Sequence, residues 1–233
     1  MSFTFCPNEM AQDLLALADG GGRFLAPQMA GRLERLTTDL KFAIAKAKGD
    51  TDKDFKWKTE SGSPIVLKKS KNWKGIKDEA DELYAGVTVD YKCQWDDATN
   101  RVRVKEGVTC VFLHDNEKQV KSFHFDACDG GWNKSAGHPP FHMQIHGDVN
   151  DIPRLPSIVV HPIDVLNFAI LELHQSHWRD HVDSTEAKQK LRKLPSRQRI
   201  RIMKIVDNWA QTLKNGQNAL VLLQQRMPSH LDL

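Results

Sequence analysis

Val87-Thr88-Val89-Asp90-Tyr91-Lys92-Cys93-Gln94-Trp95 alternates apolar and polar side chains without a break. A period of two marks a strand with one face buried and the other open. Asp96-Asp97-Ala98-Thr99-Asn100 reads as a turn, and Val102 and Val104 begin a returning strand. A more continuously apolar run, Val108 to Leu113, predicts a third strand, and 119–126 and Phe141 to Ile145 predict two more. The centre of the chain therefore reads as an antiparallel meander of four or five strands.

Helical patterns flank it. Residues 8–19 predict a short helix, with Asn8 as N-cap and Gly20-Gly21-Gly22 as its end. A second helix starts near Pro27 and runs to about Lys48, with Met29, Leu33, Leu36, Leu40, Ile44 and Ala47 as its buried stripe. Short strands at 54–58 and 64–68 enclose the Glu60-Ser61-Gly62-Ser63 turn, and a short helix is expected over 75–84. Pro153-Arg154-Leu155-Pro156 reads as an extended linker. A helix follows from Pro162, burying Ile163, Leu166, Ile170, Leu173 and Trp178. The last long helix starts at the N-cap Ser196 and reaches Asn215-Gly216, with Ile202, Val206, Trp209 and Leu213 inward. Residues 217–226 continue helically and the tail after Pro228 is loose. The fold class is α+β in one domain, 1–233: an N-terminal helical region over 1–48, a β-rich centre over 54–147 and a C-terminal helical region over 162–226.

Composition sets the broad class. The chain is 40% hydrophobic and 27% charged, and no apolar run approaches the roughly 18 residues of a membrane span. Residues 1–25 lack a charged segment followed by an apolar core. Cys6, Cys93, Cys110 and Cys128 show no CxxC spacing, which points away from a disulfide framework and toward the cytoplasm. P-loop, GxGxxG and GxSxG patterns are absent, so Walker NTPase, Rossmann and serine-hydrolase readings lose their usual support.

Two regions carry candidate chemistry. In a strand, His142, Gln144 and His146 share a side, as do Ser122, His124 and Asp126. If the two strands pair antiparallel with Asp126 opposite His142, then His124 faces Gln144 and all six groups line one face. Such a face suits general acid–base work, as in metal-independent RNA cleavage. It equally suits zinc or another borderline metal, or a hydrogen-bonded structural layer. The candidate catalytic set is His124, Asp126, His142 and His146, with His142 and His124 as the proton-transfer pair and His146 or His138 steadying the phosphate. His174, His177 and His181 form a second group, whose H-x-x-x-H spacing can chelate a metal.

The other region is basic. Net charge is +3, yet Lys188, Lys190, Arg192, Lys193, Arg197, Arg199, Arg201 and Lys204 fall in a run without an acid. Taking those eight charges from the total leaves −5 for the remainder. This footprint fits nucleic acid, with RNA expected over DNA because of the histidine face, and an acidic protein partner would satisfy it too. A lysine-rich stretch, 48–77, interleaves Trp57 and Trp73 with nine lysines. It reads either as a base-stacking surface or as a hairpin whose tryptophans cap the core.

His138-Pro139-Pro140-Phe141-His142-Met143-Gln144, followed by Pro153-Arg154-Leu155-Pro156, resembles an uncharacterised bacterial family with an HPxxHxQ motif, which implies no particular activity. Across residues 85–180 the order of meander, Pro139-Pro140, His161-Pro162 and helices is also similar to ubiquitin-conjugating (E2) enzymes. There a His-Pro-Asn precedes the catalytic cysteine. Here position 163 is Ile and no cysteine follows Cys128, so this resemblance implies a binding-only relative.

Overall fold

In the computed structural model the alternating run lies within β4 (Leu83–Asp96). The structure describes residues 3–50, 53–71, 82–128, 141–146, 154–214 and 231–233. Val87, Val89, Tyr91, Cys93 and Trp95 all point into the core, as alternation requires. The returning chain is one strand, β5 (Arg101–Asp115), where two were expected. A bulge between Lys92 and Cys93 makes one strand look like two: Glu106 pairs with Lys92 and Val104 with Cys93, leaving Lys105 over. That extra residue shifts the phase, so Val102 and Val104 face the core on one side of it and Thr109 and Val111 on the other. Gly107 sits opposite Tyr91 because a Cβ there would lie 2.4 Å from the ring. Burial pushes the Tyr91 hydroxyl well above its usual range. The hydroxyl bonds with that of Thr109 at 2.9 Å and donates to the Val160 carbonyl at 3.3 Å.

β6 (Lys118–Cys128), β7 (Phe141–His146) and β8 (Arg154–Pro156) continue the antiparallel sheet. The segment expected as a linker is thus an edge strand, a place where proline is tolerated because one side of the backbone needs no partner. β2 (Asp54–Lys58) pairs along β4 on the opposite edge, and β3 (Ile65–Val66) pairs beside it. Two strands were not anticipated. β1 (Phe3–Phe5) pairs with β5 at Val102–Val104, and β9 (Leu231–Asp232) pairs with β1 in parallel. Of the tail expected to be loose, Leu231–Leu233 are therefore held. Leu233 N–H donates to the Thr4 carbonyl at 2.8 Å, and Arg101 Nη2 donates to a main-chain oxygen of Leu233 at 3.1 Å.

Helices α1 (Pro7–Gly20), α2 (Met29–Ala47) and α3 (Pro162–Asp183) cover one face of this sheet. α2 buries the whole predicted stripe, and Trp57 caps the core from β2 by donating its indole N–H to the Leu36 carbonyl at 3.0 Å. α3 starts at Pro162 and sets Phe168 edge-on to Phe125 at 6.1 Å. Of the short helix expected over 75–84, residues 75–81 lie outside the described residues, and Leu83 and Tyr84 open β4 instead. Trp73, His138, Pro139-Pro140 and 217–226 also lie outside them. The architecture is α+β, and no helix among the described residues is long and apolar enough to cross a membrane.

α4 (Thr185–Leu191) and α5 (Leu194–Lys214) pack on the helical side, and α5 is rotated from its expected orientation. Its inward face carries Leu194, Arg201, Ile205 and Asn208, while Val206 is exposed. Arg201, 5% exposed, accounts for this. Its guanidinium donates to both Asp164 oxygens and, at 2.9 Å, to Asp13. Arg197 reaches the other oxygen of Asp13 at 2.7 Å. Two carboxylates and two guanidiniums thus join α1, α3 and α5 with the charges balanced. Breaking such a buried network on one side leaves charge uncompensated. Arg201→Ala is expected to cost about 3–5 kcal/mol in urea unfolding, against less than about 0.5 kcal/mol for Arg199→Ala on the exposed face of the same helix.

Candidate functional site

The face of the sheet turned away from the helices is set by three cross-strand rows. Val108 on β5 is opposite Asp126 on β6, which is opposite His142 on β7. Cys110, His124 and Gln144 form the next row, and Phe112, Ser122 and His146 the third. This is the register in which the six polar groups share one side, because opposed residues of an antiparallel pair point the same way. Phe123, Phe125, Phe141 and Met143, one position out of phase, pack against the core.

The side chains form a continuous chain of contacts. Asp126 Oδ2 lies 3.2 Å from His142 Nε2, and the same nitrogen is 3.0 Å from the Gln144 Nε2. Gln144 Oε1 is 3.2 Å from His146 Nε2. The His146 and His124 rings then meet with centroids 4.0 Å apart, and Phe112 stands edge-on to His124 at 6.4 Å. His142 and Gln144 are buried, whereas His124, His146 and Asp126 are half-buried. His142 is 4% exposed and held at the inner end of the chain, so the accessible imidazoles are His124 and His146.

Burial, helped by the neighbouring His146 and opposed by Asp126, holds the His124 ring below the usual imidazole range. His124 is thus neutral at pH 7 and able to accept a proton. Cys110, beside it on β5, is no nucleophile: burial pushes its thiol up to about 12. Gln144 went unassigned among the candidate residues, although its place between two histidines at spacing i±2 was the available signal.

The other expected sites fare differently. Of the basic run, Arg201 and Arg197 are taken by Asp13, Asp164, Glu9 and Gln12, and drop out of any phosphate surface. Lys190 pairs with Glu186 at 2.7 Å, and Lys188 lies 3.9 Å from Asp183. Arg192, Lys193, Arg199 and Lys204 remain exposed. Of the second histidine group, His174 and His181 both pack on Phe24 while His177 is exposed. His181 Nε2–H donates to the Gly20 carbonyl at 2.6 Å, and His174 packs on Phe24 with centroids 4.9 Å apart. Among the described residues no group of three or more His, Cys, Asp or Glu is placed to hold a metal ion. Compared with protein-family models, curated proteins and solved structures, the chain matches none.

Two titrations check this description. By NMR, His124 should titrate below the ordinary 6.5. His146→Ala should raise its pKa by removing a like charge, and Asp126→Asn should lower it further. His174 is held at about 4 by burial first, then by His177 and Lys68. Between that value and the unfolded value of about 6.5 the unfolded chain binds a proton that the folded chain does not. Stability should therefore fall as pH drops through this window, and His174→Leu should flatten the urea-midpoint profile there.

Proposed function

We propose that the histidine face is a general acid–base site for cleavage of a phosphodiester in single-stranded RNA. The observation that supports this most directly is the contact of two half-buried imidazoles, His124 and His146, backed by the inner Asp126–His142–Gln144 chain. RNA carries its own nucleophile. A base that removes the 2′-hydroxyl proton lets that oxygen attack phosphorus. An acid that protonates the departing 5′-oxygen completes the step, leaving a 2′,3′-cyclic phosphate. Two imidazoles suffice for both transfers. His124, neutral at pH 7, is the base and His146 the acid; Gln144 positions His146.

The same face supplies cations at a distance. Lys58, Asp90, Val108, Asp126 and His142 form one cross-strand row, and Lys56 and Lys92 form a parallel pair beside it. At about 4.8 Å per strand, Lys58 is about 19 Å from His142, so a strand laid across the sheet meets lysines at one edge and histidines at the other. Phosphate contacts then fall to Lys56 and Lys58, since Lys92 is paired with Asp54 at 3.0 Å. The exposed remnant of the basic run, Arg192, Lys193, Arg199 and Lys204, lies on the helical side.

A second reading has its own support. Ile200, Met203 and Val206 are 54%, 49% and 37% exposed along α5, next to Arg199 and Lys204. An apolar stripe edged by cations fits an acidic protein partner, as in a non-catalytic, E2-like interaction module. End-labelled RNA separates the two readings. The enzyme should yield 2′,3′-cyclic phosphate ends in the presence of EDTA and spare a site with a 2′-deoxy sugar. His124→Ala and His146→Ala should each slow it about 10²–10⁴-fold with thermal stability retained. An inert wild type, or alanine variants as active as wild type, would leave the interaction reading standing.

A further inference from the structure

The Gln144 amide is buried between two imidazoles, with one polar end at 3.0 Å from His142 Nε2 and the other at 3.2 Å from His146 Nε2. Its backbone is fixed on both sides by the ladder, opposite His124 on β6 and Arg154 on β8. A buried amide keeps its hydrogen bonds, and its two ends are chemically opposite: the nitrogen only donates and the oxygen only accepts.

From this geometry we propose that Gln144 is a positioning residue that forces opposite proton patterns on His142 and His146. With the amide nitrogen toward His142, that ring must present a bare Nε2, while His146 must carry a proton on Nε2 to bond the oxygen. With the amide turned over, His142 carries the Nε2 proton and His146 presents a bare nitrogen. Asp126 Oδ2, 3.2 Å from His142 Nε2, bears on the choice, because an ionised carboxylate there favours Nε2–H over a bare nitrogen. Only the first orientation allows His146 to be protonated on both nitrogens, the form required of a general acid. The amide therefore gates His146 through a reversal, with no proton passing through Gln144 itself. The role for His146 rests on the RNA-cleavage reading; the opposed proton patterns do not.

The experiment is long-range ¹H–¹⁵N correlation of the full chain labelled at histidine, above the pH at which the rings are neutral. His142 and His146 are assigned from single His→Phe variants. Wild type should show opposite tautomers at the two rings, one protonated on Nε2 and the other on Nδ1. Gln144→Glu keeps the shape but only accepts at both ends, so both rings should become Nε2–H. The same tautomer at both rings in wild type would overturn the proposal, as would opposed tautomers that persist in Gln144→Glu. Opposed tautomers in a protein that cleaves no RNA would retain the gate and remove the reading of its use. If RNA is cleaved, Gln144→Glu holds His146 in its Nε2–H form, so kcat should be retained with KM little changed; a fall in kcat would overturn the gating of the acid.

Discussion

A pleated strand shows its side chains to two faces alternately, so one register between β6 and β7 decides whether the polar groups of these strands gather on one face at all. With Asp126 opposite His142, four candidate groups and Gln144 stand together on the open face while Phe125, Ala127, Phe141 and Met143 close the core. A slip of one residue would bury the histidines against α3 and expose the phenylalanines, a change that hydrophobic burial forbids. The aromatic half of these strands thus holds the polar half in place. Polar and apolar positions are energetically one system: the core stabilises the register, and the register assembles the site.

The second constraint is ionic. Arg201 would lose more by being buried alone than it gains by any single contact, so its position requires both Asp13 and Asp164. Those aspartates come from the first and third helices, separated from Arg201 by 188 and 37 residues respectively. Their convergence orients α5 so that Arg201 and Ile205 face inward, and it turns Ile200, Met203 and Val206 outward. The outward apolar stripe is a consequence of satisfying the buried charge.

Much of this was legible in local pattern. The period-two run at Val87–Trp95 and the stripe from Met29 to Ala47 map directly onto β4 and α2, because both rest on a single periodicity within one element. The joint six-group face followed from alternation once the two strands were paired. Other features escaped for identifiable reasons. The Lys105 bulge changes phase inside β5, so one strand reads as two. Three-residue Phe3-Thr4-Phe5 is too short to carry a period, and its partners on β5 and at Leu231–Asp232 lie far along the chain.

What the sequence determined by itself is the longer helices and strands, the α+β class and which residues could share a strand face, since these depend on neighbours within a few positions. Tertiary structure alone decided which of those residues stand together and which are taken up in packing or ion pairs. It withdrew Arg197 and Arg201 from the basic run, set His174 and His181 against Phe24, buried His142, and placed Gln144 between two rings. Charge and hydrogen-bonding capacity are written in the residue, but whether they are spent inside the fold depends on what arrives from elsewhere in the chain.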